Sequence, residues 1–293
     1  MVADASSSMA GLLDGPVEKP LWGLYVEPVY SFGHRAGSAT SEGYDSNMVG
    51  LEVGLDRKFG DQWLAGAFGG YGVGRIDFNG SNFYGHNNED QKLYTFGLYG
   101  GYRIGDLILT DTLSTTYAEH NMERYAGVNQ MARAHYFSWL THNELLATYN
   151  WQPAEYWIIS PHVGVNVTYV HQDEFTETEV GNAIHYDDLD KVFADALLGV
   201  RVTRQYMVLG IDVAPYVGAG LVHSLGNGDI TVRQYIATTS ARVTTDNDAN
   251  RFAPEAGVTV RPNDRTSLTL AYSAEFGDTS QSQSILGLLR WQF

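Results

Sequence analysis

Residues 49–56 read Val-Gly-Leu-Glu-Val-Gly-Leu-Asp, and this alternation decides the fold class. Successive side chains of an extended strand point to opposite faces, so every second residue shares a face. The apolar residues therefore lie on one face and the glycines and carboxylates on the other: Val49, Leu51, Val53 and Leu55 against Gly50, Glu52, Gly54 and Asp56. One face for lipid and one for a polar lumen is typical of a transmembrane β-barrel.

The same period recurs along the chain and predicts twelve strands, each long enough to cross a bilayer when tilted. They are residues 21–33, 47–59, 63–78, 91–104, 107–119, 135–151, 157–171, 192–204, 207–223, 251–261, 266–276 and 283–293. Residues 230–243 also fit a strand pattern and predict a hairpin above the membrane. The predicted fold is all-β: a twelve-stranded antiparallel barrel over residues 21–293, preceded by a linker or plug over residues 1–20 that forms a short helix or extended segment in the lumen.

The lengths of the connections support a barrel independently. The connections from an even-numbered to the next odd-numbered predicted strand are short, at residues 60–62, 105–106, 152–156, 205–206 and 262–265. The connections between them are long and polar, at residues 34–46, 79–90, 121–134, 172–191 and 224–250, and residues 277–281 are the short exception. Outer-membrane barrels carry short turns at the periplasmic rim and long loops outside. A soluble β-sandwich has no reason to sort its loops in this way.

The fifth predicted strand breaks the pattern. Asp111 shares a face with Leu107, Leu109 and Leu113. A charge that faces lipid near the bilayer midplane costs up to about 2–4 kcal/mol. We therefore expect a bulge or a register change near Asp111. The third strand is so rich in glycine that its two faces are not distinguished.

Composition excludes several classes of protein. The chain has 293 residues, 44% of them hydrophobic and 18% charged, yet no apolar stretch reaches the roughly 18–20 residues of a membrane helix. The absence of cysteine excludes disulfides and thiolate metal sites, and the net charge of −16 argues against nucleic-acid binding. No secretory signal precedes Lys19, so we expect an exported protein to be represented here by a processed piece.

Aromatic residues stand near the ends of the predicted strands. Interfacial girdles place such rings at the depth of the lipid headgroups. The predicted membrane-interface aromatics are Trp22, Trp63, Trp139, Trp151, Trp157, Trp291 and Phe293.

The carboxyl terminus carries a family resemblance. Residues 286–293 read Leu-Gly-Leu-Leu-Arg-Trp-Gln-Phe and resemble the signal by which the barrel-assembly machinery recognises its clients, with Gly287, Trp291 and Phe293 as its elements. The glycine lies one place further from the terminus than in the usual pattern. Residues 21–28 (Leu-Trp-Gly-Leu-Tyr-Val-Glu-Pro) resemble the first strand of autotransporter β-domains, and residues 261–277 resemble their penultimate hairpin.

The chain is thus similar to the translocator domain of autotransporters, the type V secretion proteins. The resemblance implies a Gram-negative outer-membrane barrel that anchors and translocates a passenger polypeptide lying outside this chain. It also implies two further partners, the outer-membrane lipid with its lipopolysaccharide and the barrel-assembly machinery, and we expect a monomer. Some family members cut their linker at an asparagine with acids of the lumen; the first asparagine here is Asn47, so such a cut would lie upstream.

Barrel geometry is compatible with a segment inside the lumen. Twelve strands about 4.8 Å apart and tilted by about 40° give a backbone radius of about 12–13 Å, which leaves room for about one α-helix. Residues 3–13 are the candidate, because a serine among residues 6–8 could cap a helix that Gly15-Pro16 would end. A disordered tail is the alternative.

The inward faces carry charges of both signs. The predicted lumen-lining residues are Glu27, Glu52, Asp56, Arg103, Glu144, Asp195, Arg201, Asp212, Glu255, Arg261 and Glu275. A solvated, salt-bridged lumen is the simplest interpretation; contact with a transiting polypeptide or a bias on ion passage is the sharper one.

No catalytic residue, metal or cofactor is predicted. Motifs for a serine hydrolase elbow, a phosphate-binding loop or a zinc protease are absent from the sequence. His142, Glu144 and His162 are interpreted as polar lining of the lumen. The acidic loop 172–190 leaves Ca²⁺ binding open, although its ligand spacing is irregular.

Three other functions stay open from the sequence alone. A stand-alone channel of the porin class predicts a larger conductance and an N-terminus outside the pore. An outer-membrane hydrolase predicts a catalytic cluster at the outer rim. A surface adhesin predicts binding through the long loops without a passenger.

Overall fold

The computed structural model describes residues 22–38, 41–79, 87–127, 130–226, 229–236, 239–245 and 247–293. The strands, in chain order, are β1 (Trp22–Arg35), β2 (Tyr44–Phe59), β3 (Trp63–Phe78), β4 (Asn87–Ile104), β5 (Leu107–Gly127), β6 (Gln130–Tyr149), β7 (Trp151–Ala154), β8 (Trp157–Gln172), β9 (Phe175–Thr176), β10 (His185–Tyr186), β11 (Leu189–Arg204), β12 (Tyr206–Val208), β13 (Ile211–Ser224), β14 (Ile230–Ile236), β15 (Thr239–Thr245), β16 (Asn250–Asn263), β17 (Thr266–Phe276) and β18 (Ser280–Gln292). Residue 21 and the candidate helix at residues 3–13 lie outside the described residues.

Twelve long strands form a closed antiparallel barrel, as the alternation predicts. They are β1–β6, β8, β11, β13 and β16–β18, each paired with its neighbours along the chain. The first and last strands pair as well, with Trp22 N donating to Phe293 O at 3.0 Å and Phe293 N to Trp22 O at 2.9 Å. Closure satisfies the backbone hydrogen bonds of every strand, which is the condition for crossing lipid.

The two faces of each strand are sorted as expected. On β2, Val49 and Leu55 point outward with 56% and 43% of their surface exposed, whereas Asp56 on the opposite face is 1% exposed. The structure also resolves the glycine-rich β3, where Leu64 and Phe68 point inward and are buried. No helix among these described residues is long and apolar enough to cross a membrane.

Two short-turn boundaries differ from prediction. The ninth barrel strand begins at Ile211 rather than residue 207, because β12 runs back along it. Leu209 and Gly210 form the turn between them, both with positive φ (53° and 82°), as in a type I′ hairpin. The alternation of apolar residues continues through this turn, because Leu209 occupies an apolar position of the pattern although it is 98% exposed. Alternation alone therefore does not reveal the turn. Likewise the sixth predicted strand ends at Tyr149, and β7 pairs with β8.

The hairpin of β5 and β6 extends further outward than predicted. Residues 121–134 were expected as a loop, but β5 continues to Gly127 and β6 starts at Gln130. The inward faces of this extension, including Ala132 and Ala134, are buried. Burial of these apolar side chains therefore stabilises the strand pairing above the membrane, where the sequence becomes polar.

The expected bulge at Asp111 is wrong. The register of β5 against β6 runs unbroken from Leu107 to Tyr125. Asp111 stays on the outer face, where Asn143 Nδ2 donates to its Oδ1 at 2.8 Å. A neighbouring amide thus partly compensates the carboxylate, and the barrel tolerates a polar pair in its apolar belt.

We expect Asp111→Leu to stabilise the barrel in a bilayer by about 1–2 kcal/mol, since the lipid-facing cost of Asp is somewhat below that of Lys or Arg. The Asn143 amide keeps a partner, because it also donates to Thr112 O at 3.2 Å. Urea unfolding of the barrel refolded into lipid vesicles measures the change. Asp106→Leu, in an exposed short turn, is the matched control. An unchanged free energy of unfolding for Asp111→Leu would show that Asp111 lies outside the hydrocarbon layer.

A second, four-stranded sheet lies at the long-loop end, in the order β15-β14-β10-β9, and is called the surface sheet below. Its β14–β15 hairpin confirms the strand pattern predicted over residues 230–243. Phe175 of β9 stacks on Tyr136 of β6 with ring centroids 4.0 Å apart. Arg124 Nε of β5 donates to Glu177 Oε1 at 2.6 Å, and the Glu177 side chain is fully buried. These contacts attach the surface sheet to the inner wall of the barrel.

Candidate functional site: the barrel lumen

The most buried charges of the lumen form an arginine–carboxylate pair. Arg290 on β18 donates two hydrogen bonds to Asp56 on β2, at 2.6 and 2.5 Å. Tyr99 donates a third to Asp56, at 2.7 Å. The pair crosses β1 at Gly23, where a Cβ would lie 2.5 Å from the Arg290 guanidinium and 2.7 Å from the Asp56 carboxylate. The missing side chain of Gly23 therefore lets a charge pair span the seam between the first and last strands.

A second pair repeats this arrangement on β11, β13 and β16. Arg201 Nε on β11 donates to Glu255 Oε1 on β16 at 2.8 Å, across Gly218 on β13. A Cβ on Gly218 would approach the Glu255 carboxylate closer than 3.0 Å, which real Cβ atoms essentially never show. The Arg201 guanidinium also lies 4.5 Å from the ring centroid of Tyr216, a cation–π contact.

Two further arginines pair with predicted lumen acids. Arg251 bridges Asp195 at 3.0 Å and Glu275 at 2.8 Å. Arg261 pairs with Asp212 at 2.9 Å near the short-turn rim. Arg251 and Arg290 are not among the predicted lumen-lining residues, although strand parity places both on inward faces.

The remaining predicted lumen residues do not join these pairs. Glu52 accepts a hydrogen bond from Tyr25 at 2.7 Å, and Glu27 is 2% exposed. Arg103 lies at the short-turn rim, where its Nε donates to Gly105 O at 3.0 Å. Glu144 faces a cavity described below. The structure therefore groups the predicted charges into separate local clusters.

One wall of the lumen is thick and apolar. Its buried residues are Tyr25, Leu64, Phe68, Tyr99, Ile108, Leu286 and Leu288. Three of the aromatic rings cover inward glycines of the adjacent strand: Tyr25 over Gly54, Tyr99 over Gly66 and Phe68 over Gly97. Each glycine leaves the space that the ring fills, so the wall is packed and the open space lies on the other side.

The open space is lined by charged and polar side chains together with apolar ones. A cavity of about 400 Å³ is lined by His142, Glu144, His162, Asp195, Arg251 and Glu255, among others. A second cavity of about 430 Å³ shares Asp195 and Arg251 and is bordered by Ile230 and Thr245. Because Ile230 and Thr245 belong to the surface sheet, that sheet overhangs the upper lumen.

A buried hydrogen-bond chain links β4, β5 and β6 at the long-loop end. His120 Nδ1 lies 2.7 Å from Glu89 Oε1, and His120 Nε2 lies 2.7 Å from Ser138 Oγ. Tyr136 donates to the second oxygen of Glu89 at 2.6 Å. The order serine, histidine, carboxylate is the one that serine hydrolases use. No sequence motif indicated it, because its members stand on three strands.

Two titratable groups outside the membrane-spanning strands have shifted pKa values. Burial raises the pKa of Tyr186 in the surface sheet, and the nearby Glu177 carboxylate adds to this. Burial acts to raise the pKa of Asp248, but hydrogen bonds from Ser280 and Thr279 outweigh it and lower that pKa. A lowered pKa stabilises the fold above the ordinary pKa of Asp, and this is lost as the pH falls through the lowered value. The tie between Asp248 and the β17–β18 turn is therefore intact at neutral pH.

The predicted interface aromatics all lie exposed on the outer face or at a rim. Trp139 lies towards the long loops and the others towards the short turns: Trp22, Trp63, Trp151, Trp157, Trp291 and Phe293. Gly287, Trp291 and Phe293 share the outward parity of β18 and its end, and the rings of Trp291 and Phe293 stack at 4.8 Å. Their part in assembly stays a prediction. Within the described ranges, no group of three or more His, Asp or Glu side chains is placed to hold a metal ion.

Comparison with known proteins identifies the family of this chain. Residues 24–273 match the family described as Autotransporter beta-domain. The chain belongs to this family. This autotransporter β-domain is therefore a barrel of the bacterial outer membrane, of the class that carries a passenger polypeptide to the cell surface.

Three known proteins are similar to this chain in sequence or in fold. The β-domain is 24% identical over 280 residues to an extracellular serine protease of Serratia marcescens, covering 92% of this chain and 26% of the relative. The chain thus spans about a quarter of the length of that protein. Its fold is similar to the translocator domain of the autotransporter NalP from Neisseria meningitidis, with a TM-score of 0.78, 16% identity and coverage of 99% and 96% of the two chains. The β-domain of the Bordetella autotransporter Brka gives a TM-score of 0.67 at 19% identity, covering 93% of this chain and 99% of that one.

Proposed function

We propose that the lumen of this β-domain is the route by which its passenger crosses the membrane, and that residues 1–20 remain in the lumen as a tether. The observation that carries the proposal is where the chain enters the barrel. Trp22 is bonded to Phe293 at the rim of the short turns, which is the periplasmic rim in outer-membrane barrels. A segment that precedes Trp22 can reach the cell surface only through the lumen.

The paired charges of the lumen fit this role. Asp56, Arg201 and Asp212 each have an opposite charge within hydrogen-bonding distance. Because these charges are already paired, they leave few unpaired charges to bind a passing polypeptide tightly. The similarity to the Serratia protease covers this β-domain only, so the passenger's own chemistry does not follow from it.

We propose two further partners, both from the outer surface. The exposed aromatic residues support contact with outer-membrane lipid and lipopolysaccharide. The outward-facing end of β18, with Gly287, Trp291 and Phe293, is proposed to dock on the barrel-assembly machinery before the strand pairs with β1. The barrel itself is proposed to act as a monomer.

We propose no catalytic activity for the barrel. The Ser138–His120–Glu89 chain has the bond order of a hydrolase, but the backbone amides beside Ser138 are used in strand pairing. Acyl transfer needs unengaged donors aimed at the developing oxyanion. We therefore interpret the chain as a structural anchor of Glu89 beneath the surface sheet.

Surface display tests the route of the passenger. An epitope placed before Val2, in a chain exported to the periplasm, is expected to bind antibody on intact cells. The same epitope in the Asp264–Arg265 turn is the matched control and should bind only after permeabilisation. An epitope in the exposed turn at Gly181 should bind on intact cells. If the epitope before Val2 needs permeabilisation, the barrel does not translocate its N-terminal segment, and a stand-alone channel or adhesin is favoured.

Single-channel conductance tests the tether. The refolded barrel is expected to show a small or flickering conductance that rises when residues 2–19 are removed, since an α-helix would nearly fill the lumen. A large and steady conductance that truncation leaves unchanged would exclude a plug in the lumen and support a passive channel.

A further inference from the structure

Four histidines occupy equivalent places on the outer surface of the barrel. Each lies on the outward face of a strand near its long-loop end, directly opposite an aspartate or asparagine of the neighbouring strand. The pairs are His34 with Asp45, His135 with Asn121, His171 with Asp190 and His223 with Asn250. They belong to four different surface hairpins, so the arrangement is repeated around the barrel and is called the histidine rim below.

The four pairs also share their hydrogen-bond geometry. In each, the histidine Nδ1 meets the Oδ1 of its partner, at distances of 2.7, 3.0, 3.0 and 2.9 Å in the order just given. An Nδ1–H that donates to oxygen leaves Nε2 as the nitrogen that takes up the second proton. The partner therefore orients each ring.

The height of the rim matches the lipid headgroups. Phe32, Phe137 and Tyr169 lie two residues further into the membrane on the same outward faces as His34, His135 and His171. Aromatic girdles mark the boundary between hydrocarbon and headgroups, so the histidines lie just outside it. A fifth surface hairpin has a cation at a similar height, since Arg75 lies 3.3 Å from Asp90.

We propose that the histidine rim binds the phosphate groups of the outer-leaflet glycolipid when its histidines are protonated. An imidazolium N–H is a charge-assisted donor to a phosphate oxygen. The chain carries a net charge of −16 and otherwise repels an anionic lipid surface. This inference rests on the proposed placement of the barrel in outer-membrane lipid.

The groups around each histidine decide which pairs contribute most. His135 and His223 face neutral asparagines, so each protonation adds a full positive charge. His34 faces Asp45, and Gln281 lies opposite on β18. His171 has the most acidic surroundings: its Nδ1 lies 3.0 Å from Asp190 and its Nε2 lies 3.2 Å from Asp173.

The neighbours on the other sides differ in charge. His135 is flanked on its outer side by Arg133, which bridges Glu123 and Glu179, a group with a net charge of −1. His223 has Ala196 opposite it on β11, and His171 has Trp139 opposite it on β6. We therefore assign the pH-dependent binding mainly to His135 and His223, with His34 and His171 neutralising carboxylates that would repel phosphate.

Binding of lipid A to the full chain refolded in micelles tests the proposal. The probe is fluorescent bisphosphorylated lipid A, titrated at pH 5.5 and pH 7.5 without divalent cations. We expect binding to be about tenfold tighter at pH 5.5, which corresponds to about 1.4 kcal/mol. The phosphate itself loses charge as the pH falls, so a gain in affinity must come from the protein.

Matched variants locate the effect. The double variant His135→Gln/His223→Gln should lose most of the pH dependence, whereas His142→Gln/His162→Gln, in the lumen, should keep it. Dephosphorylated lipid A should show no gain at pH 5.5, and millimolar inorganic phosphate should compete only weakly, because one phosphate engages one histidine at a time. An equal gain in the rim double variant, or an equal gain with dephosphorylated lipid A, would overturn the proposal. Failure of surface display with a retained pH effect would reject the proposed translocation route and leave the rim in place.

Discussion

Replacing Arg290 with alanine is expected to destabilise the barrel by about 3–5 kcal/mol, because it leaves a buried carboxylate without its counter-charge. Asp56 has a fully buried side chain, and Arg290 supplies two of its hydrogen bonds. Tyr99 retains one hydrogen bond to Asp56, which limits the loss. The pair also joins β18 to β2 across β1, so the variant weakens the seam at which the barrel closes.

Urea unfolding in lipid vesicles and the shift of folded barrels on unheated gels measure this effect. Arg265→Ala is the matched control, because Arg265 lies exposed in the short turn before β17. The double variant Asp56→Leu/Arg290→Met should recover much of the lost free energy of unfolding, since an apolar pair of similar volume needs no compensation. Equal stability of Arg290→Ala and Arg265→Ala would mean that water reaches the Asp56 carboxylate.

Replacing Arg124 with alanine is expected to release the surface sheet from the barrel. The Glu177 carboxylate is fully buried and takes two hydrogen bonds from Arg124, at 2.6 and 2.5 Å. Loss of this partner is expected to cost about 3–5 kcal/mol of local stability, which raises the population of the detached sheet by about two to four powers of ten. Glu177 then gains by leaving the interior for water.

Limited proteolysis between residues 173 and 188 and the single-channel conductance both report this release. Cleavage should accelerate, and conductance should rise because the sheet overhangs the cavity of the upper lumen. Arg133→Ala is a sharp control: Arg133 binds Glu179 of the same segment at 3.0 Å, but both side chains are about half exposed. An exposed pair contributes about 0–1 kcal/mol, so this control should change little. Equal proteolysis of the two variants would place the anchor elsewhere, in the stacking of Phe175 on Tyr136.

The sequence by itself determined the class of fold, the number of membrane strands and the faces that they turn to lipid. The outward residues of β2 each face hydrocarbon: Val49, Leu51, Val53 and Leu55. The residue type at every second position therefore reflects the environment of that position alone. Short turns and long loops are likewise assigned to the two rims from connection lengths, which are local features of the sequence. The terminal Trp291 and Phe293 carried the family resemblance because the C-terminal signal is one contiguous segment, which can be recognised without the fold.

Only the tertiary structure decided which charges meet. Asp56 and Arg290 are 234 positions apart, and they touch because closure places the last strand beside the first. Strand alternation also could not place the turn at Leu209-Gly210, since the apolar parity continues through it. The extension of β5 and β6 depends on burial beneath the surface sheet, whose residues lie far away along the chain. Tyr136 stacks on Phe175, 39 positions away, and Arg124 pairs with Glu177, 53 positions away. Period-two patterns report what each residue faces, whereas partners across a closed barrel depend on its register, and register exists only once the strands have paired.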